Sequence, residues 1–142
     1  MVKQISVFIE NKEGRIKEAI DILAKADINI RALSVADTSK YGILRLIVSD
    51  NEKAIEALEN EGFIVKESEV IVISVPDKPN GLNSTLAILD NENINLEYIY
   101  AFVSSQIDEA IVAIKVEDNE KAINAFEANN AKLLKKEDIE KI

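Results

Sequence analysis

The sequence predicts an α+β protein made of two copies of one βαββαβ unit. Three observations carry this. Short runs alternate apolar and polar residues as half-buried strands do, longer runs carry apolar residues at helical spacing, and the whole pattern matches itself at an offset of 66 to 68 residues.

Val2–Glu10 alternates, with Ile5, Val7 and Ile9 on one face, and reads as the first strand. The stretch NKEGRI (11–16) is a polar elbow containing a glycine. Ile16, Ala19, Ile20 and Leu23 then fall at i, i+3, i+4 and i+7, the stripe of an amphipathic helix. INIRALSVAD (28–37) reads as strand two, TSKYG (38–42) as a turn and ILRLIVS (43–49) as strand three. Asp50 is placed to cap a second helix that ends at Gly62, and FIVKES (63–68) is a shorter fourth strand. The other sheet face is expected to carry Phe8, Leu33 and Val35, with Val72, Ile99 and Ala101 as their counterparts, and to need a cover.

A shift of 66 carries Ile5, Val7 and Ile9 onto Ile71, Ile73 and Val75, and Ile16, Ile20 and Leu23 onto Leu82, Leu86 and Leu89. It also carries Ile28-Asn29-Ile30 onto Ile94-Asn95-Leu96. Past the central turn the shift is 68, because SSQIDEA (104–110) is two residues longer than TSKYG; an insertion at a turn is where a repeat tolerates one. There DNEKAIEALE (50–59) faces DNEKAINAFE (118–127) with eight identities in ten. No Pro/Gly/Ser linker separates the copies, so the boundary falls near 67–69 and the domains are read as 1–68 and 69–142. KEDIEKI (136–142) reads as a short terminal helix or a frayed end. The order is that of ferredoxin-like domains: antiparallel strands with two helices on one face.

Composition narrows function. The 142 residues carry a net charge of −9, which argues against nucleic acid or an anionic membrane as partner. Cys and His are both absent, which removes disulfides, thiolate and imidazole chemistry and nearly all structural zinc sites. The N-terminus has no long apolar segment, and a cysteine-free chain suits a reducing cytoplasm. The acidic pairs Glu59/Glu61, Glu67/Glu69, Asp90/Glu92 and Asp108/Glu109 lie in turns and on polar helix faces, where solvated surface is the simpler reading. Tyr98 and Tyr100 share one face of strand two in copy two, where copy one has Ala32 and Ser34.

Two features point to a site. A strand that ends in an elbow and passes straight into a helix aims backbone N–H groups outward at the positive end of the helix dipole, a setting for a carboxylate. Here Asn11 is placed to cap the helix and Gly14 permits a close turn; in DKPNGL (77–82) Asp77, Pro79, Asn80 and Gly81 take the places of Asn11, Glu13, Gly14 and Arg15. Asn29 and Asn95 open strand two of each copy, and an Asn amide both donates and accepts.

With elbow, repeat and strand order together, the sequence resembles tandem ACT-domain proteins over nearly its whole length. ENKEGRI and PDKPNGL fill the place of the family's Asn/Asp-x-Pro-Gly elbow, and DINIRAL and NINLEYI that of its Ile-Asn-Ile strand. The resemblance implies a regulatory module that binds a small effector, most often an amino acid, between paired domains, with no catalytic residues, cofactor or metal. By position it nominates Asn11, Lys12, Glu13, Gly14, Arg15, Ile16 and Asn29 in copy one, and Asp77, Asn80, Gly81, Leu82 and Asn95 in copy two. Copy one lacks the family's proline and copy two its glycine, so the first elbow, with Gly14 and Asn11, is the expected binding site. A cytoplasmic homodimer acting on a metabolic enzyme is implied. The alternative is the same fold pairing with an enzyme and binding nothing small. An acylphosphatase-like enzyme would need more loop glycines around Arg15 than the sequence has.

Overall fold

The computed structural model describes residues 1–37, 40–103 and 108–142. The elements run β1 (Val2–Glu10), α1 (Arg15–Lys25), β2 (Ile30–Asp37), β3 (Tyr41–Val48), α2 (Asn51–Asn60), β4 (Ile64–Pro76), α3 (Gly81–Asn91), β5 (Leu96–Ala101), β6 (Glu109–Val116), α4 (Asn119–Ala128), β7 (Lys132–Leu134) and α5 (Lys136–Glu140). This is the βαββαβ order twice. The turns expected at TSKYG and SSQIDEA fall in part on residues 38, 39 and 104–107, outside the described residues.

Two compact units result: Lys3–Ser68, and Glu69–Ile142 together with Met1–Val2. In the first, the strand order is β2-β3-β1-β4, with β3 antiparallel to both β1 and β2. In the second it is β7-β4-β6-β5, all pairs antiparallel. Each core lies on one face of its sheet. Ile5, Val7, Ile9, Leu44, Leu46 and Val48 pack against Ala19 and Leu23 of α1 and Ala54 and Leu58 of α2. In the second unit Ile71, Ile73, Val75, Val112, Ile114 and Val116 pack against Leu89 of α3 and Ala122 and Phe126 of α4. Phe126 replaces Leu58 at the matching place, and both are fully buried.

The assignment of the second sheet face needs correction. Register places Leu33 opposite Leu46 and Val35 opposite Leu44, on the face of Ile5 and Val7 rather than with Phe8. Likewise Ile99 pairs with Ile114 and Ala101 with Val112, on the core side. The cause is a register shift after Ile30 and another after Leu96. An extra residue in one strand flips every later side chain to the opposite face, which simple alternation does not foresee. The second face carries Ala32, Ser34 and Phe8 in the first unit, and Val72, Ser74 and the Tyr98–Tyr100 pair in the second. The two tyrosine rings lie 6.4 Å apart and nearly parallel. The terminal segment forms the short helix α5, whose Ile139 is buried.

The four longer helices end alike. Asp27, Gly62, Asn93 and Asn130 adopt positive φ, between 55° and 86°. The N–H of each reaches back three residues, and the next N–H reaches back five: Ile28 to Leu23, Phe63 to Leu58, Ile94 to Leu89 and Ala131 to Phe126. This closure is a Schellman motif, and it turns an apolar residue inward just before the next strand. It sets Asn29 and Asn95 one residue beyond a buried isoleucine. Helices α2 and α4 begin on Asp50 and Asp118, whose carboxylates accept the Lys53 and Lys121 N–H at 3.1 Å. Asp50→Ala and Asp118→Ala should each lower stability by about 1 kcal/mol. Urea unfolding measures this, and an unchanged midpoint for both would contradict the capping role.

Candidate functional site

Each elbow is a tight turn followed at once by a helix. In the first, Arg15 N–H donates to Lys12 O at 3.3 Å and Glu18 N–H to Gly14 O at 2.9 Å; in the second, Gly81 N–H donates to Lys78 O at 3.0 Å and Ser84 N–H to Asn80 O at 2.9 Å. The preceding bonds also match, from Lys12 N–H to Glu10 O and from Lys78 N–H to Pro76 O. So do the links to the strand hairpin, Asn11 N–H to Lys40 O and Asp77 N–H to Asp108 O. The two elbows share one backbone hydrogen-bond pattern.

The pivot is a left-handed residue, Gly14 at φ 82°, ψ −5° and Asn80 at φ 71°, ψ −3°. These are the values of the third residue in a type II turn, where glycine or asparagine is favoured and proline suits the place before. Copy one supplies the glycine with Glu13 before it, and copy two the proline with Asn80 after it. Asn80 therefore keeps the turn, and its Oδ1 accepts from Asn83 Nδ2 at 3.0 Å.

Asn11 does not cap α1. The cap position falls to Gly14, which has no side chain to bond the first turn, because the Lys12–Arg15 turn intervenes between Asn11 and the helix. Arg15 is also held locally: its guanidinium meets Glu18 at 2.8 Å and lies 4.2 Å from the centre of the Phe63 ring. Lys12 pairs with Glu10 at 3.5 Å, and Glu13 and Asp77 are exposed. Ile16 and Leu82 hold equivalent places in the first turn, each 41 % exposed. Their N–H groups, with those of Lys17 and Asn83, have no acceptor inside the helix and lie at its positive end.

Gly81 answers a different demand from Gly14. A Cβ on Gly81 would collide with the Pro76 carbonyl oxygen, whereas the space around Gly14 is open. Arg15 carries a Cβ at the matching place, so the first elbow is less tight there.

Asn29 and Asn95 are exposed at the start of strand two. Asn29 exchanges two bonds with Ser49, donating its N–H to Oγ at 3.0 Å and accepting Ser49 N–H at 2.9 Å. Asn95 O accepts Glu117 N–H at 3.2 Å. An eleven-residue helix separates each from its own elbow, roughly 16 Å along the axis. Within one unit the elbow and the asparagine are not brought together.

The second unit also holds a groove of about 710 Å³ beside its elbow, reached by no residue singled out in the sequence as a binding group. It is lined by Ser74, Pro76, Thr85, Glu109, Asn129 and Lys132, among others. Lys132 Nζ lies 3.1 Å from both oxygens of Glu109. Those hydrogen bonds, with a smaller contribution from the Ser74 hydroxyl, hold the Glu109 carboxyl below the usual glutamate range against the opposing effect of burial. Glu109 is thus a paired group rather than solvated surface. The signal that could have found this region is Ser74, a lone hydroxyl in the apolar run VIVISVP. Among the described residues no group of three or more acidic side chains is placed to hold a metal ion, and no helix is long and apolar enough to cross a membrane.

Comparison with known proteins agrees with this architecture. The family profile described as "ACT domain pair" matches residues 1–142. A protein from Bacteroides thetaiotaomicron is 38% identical, with a TM-score of 0.91 over 99% of this chain and 96% of that one. The regulatory subunit of aspartate kinase from Thermus thermophilus superposes with a TM-score of 0.64 at 18% identity, covering 89% and 90% of the two chains. Its counterpart from Thermus flavus gives 0.61 at 19% identity, with the same coverage. At those identities the kinase subunits show the fold alone. No curated protein sequence matches.

The elbow geometry makes a paired prediction. Glu13→Pro should stabilise by about 0.4–1 kcal/mol, since proline suits its place in the turn. Gly81→Ala should destabilise by about 1–3 kcal/mol through its collision with Pro76. Thermal unfolding of both variants checks this, and a Gly81→Ala protein as stable as the parent would contradict the close approach.

Proposed function

The chain belongs to the ACT-domain family as a tandem ACT domain pair, and on that premise we propose that it is a regulatory protein that binds an amino acid and catalyses no reaction. The domains are 1–68 and 69–142. The observation that supports the reading is the matched pair of elbows, each presenting free first-turn N–H groups beside an exposed apolar side chain. The N–H groups of Ile16 and Lys17, and of Leu82 and Asn83, take the ligand carboxylate. Ile16 or Leu82 covers its apolar part.

The nominated residues divide by role in this proposal. Gly14, Asn80 and Gly81 shape the turn, while Lys12, Glu13, Arg15 and Asp77 form its polar rim. Asn11, Asn29 and Asn95 hold the amino group. Because elbow and strand-two asparagine stand at opposite ends of a unit, a second copy of the chain supplies the missing half, and a homodimer is the working form. The ligand then favours the paired arrangement by its differential affinity for it, and a metabolic enzyme in the cytoplasm reads the change.

A thermal-shift panel of the twenty amino acids tests the reading. One amino acid, at a hundred times its Kd, should stabilise the protein by about 2.7 kcal/mol. Asn11→Ala and Asn29→Ala should remove the response. No shift with any amino acid would overturn it in favour of a ligand-free interaction module.

A further inference from the structure

A second polar centre lies in the second unit, built from side chains of β4, β6 and β7 rather than from the first-turn N–H groups of α3. Strand β7 pairs with β4 only at Val72, Ile73 and Ser74, and the groove opens beside the next two residues, Val75 and Pro76. Its opposite wall is the closing turn of α4, Asn129 to Ala131, and the first turns of α3 contribute Thr85 and Ile88.

Ser74 stands at the head of this groove. It is only 8 % exposed, and its Oγ, although it faces Glu109, is buried without a well-formed hydrogen bond. A hydroxyl that faces a carboxylate still has acceptor lone pairs, which an ammonium donor can use. Nearby, Lys132 and Glu109 form a pair of zero net charge. Lys132 has three ammonium protons and spends two on Glu109, so a third remains for an anion. The Glu109 oxygens retain lone pairs for a cation. Ser84 Oγ and Thr85 Oγ1 are already committed to Gly81 O, at 3.0 and 3.2 Å, and Asn129 Nδ2 to Ala125 O at 2.8 Å; Ser74, Glu109 and Lys132 remain, with Asp108 and Asn130 at the rim. Val75, Pro76, Ile88 and Ala131 supply an apolar wall. The volume is that of ordinary small-molecule sites.

From this arrangement we propose that the groove is a separate binding site for a small zwitterion with an aliphatic tail, its ammonium on Glu109 and Ser74 Oγ and its carboxylate on Lys132. A ligand that carries both charges engages both Glu109 and Lys132, whereas a simple anion or cation engages only one of them. This site does not depend on the elbows.

The experiment is a titration of the ¹⁵N-labelled full chain with L-valine and L-leucine, each compared with its amide and its des-amino acid. The zwitterions should shift the amide signals of Ser74, Glu109 and Lys132. Removing either charge should weaken binding about tenfold, the loss of roughly one charge-assisted hydrogen bond. Lys132→Met and Ser74→Ala should weaken it by a similar factor while leaving the unfolding temperature near that of the parent. Shifts that the amide or the des-amino acid reproduces at equal concentration would overturn the proposal, as would no shift at these three residues. Shifts confined to Leu82 and Asn83 would overturn it too, yet leave the elbow reading standing.

Discussion

Each unit depends on one turn, in which the chain must leave a buried strand and start a helix within four residues. The backbone route at both places passes through a left-handed residue, Gly14 or Asn80, stabilised by a bond from the N–H of residue 15 or 81 back to the carbonyl of residue 12 or 78. That route sets the direction of α1 and α3 over their sheets, and so decides which residues reach the core: Ala19 and Leu23 in one, Thr85 and Leu89 in the other. It also aims the helix dipole away from the sheet end. The same constraint that builds the fold exposes the feature proposed to bind.

The far end of each helix is governed as strictly. Positive φ at Asp27, Gly62, Asn93 and Asn130 reverses the chain and turns the next residue toward the core, burying Ile28, Phe63 and Ile94 and partly burying Ala131. Only one of these four is glycine, because asparagine and aspartate tolerate left-handed backbone better than other residues with a side chain. The Asn at the start of strand two follows directly on that closure. Its position has a structural cause, and any role in recognition is built on top of it.

Much of the fold could be read from the residues, because its determinants are local. Asp50 and Asp118 cap where the helix pattern begins, and apolar residues spaced at 3.6 face the core. The offset of 66 to 68 residues recurs in the hydrogen bonds, as when Asn11 with Lys40 is matched by Asp77 with Asp108. What alternation concealed were the register shifts after Ile30 and Leu96, which move Leu33, Val35, Ile99 and Ala101 to the core side. A bulge depends on the neighbouring strand, and its own residues do not announce it. Asn11 misled as a cap for a similar reason: capping preference is real, but the turn placed the helix start four residues later. The groove around Ser74, Glu109 and Lys132 draws on three strands and was not visible from any one stretch.

The central claim is that the elbows hold a ligand carboxylate through the first-turn amides of the helix. Amide chemical shifts during titration with each amino acid in turn test it most directly. The account predicts that one amino acid moves the Ile16 and Lys17 amide protons downfield and saturably, as new hydrogen bonds to an anion would, and that its des-carboxy amine does not. Binding that leaves the amides of Ile16, Lys17, Leu82 and Asn83 unmoved would contradict it.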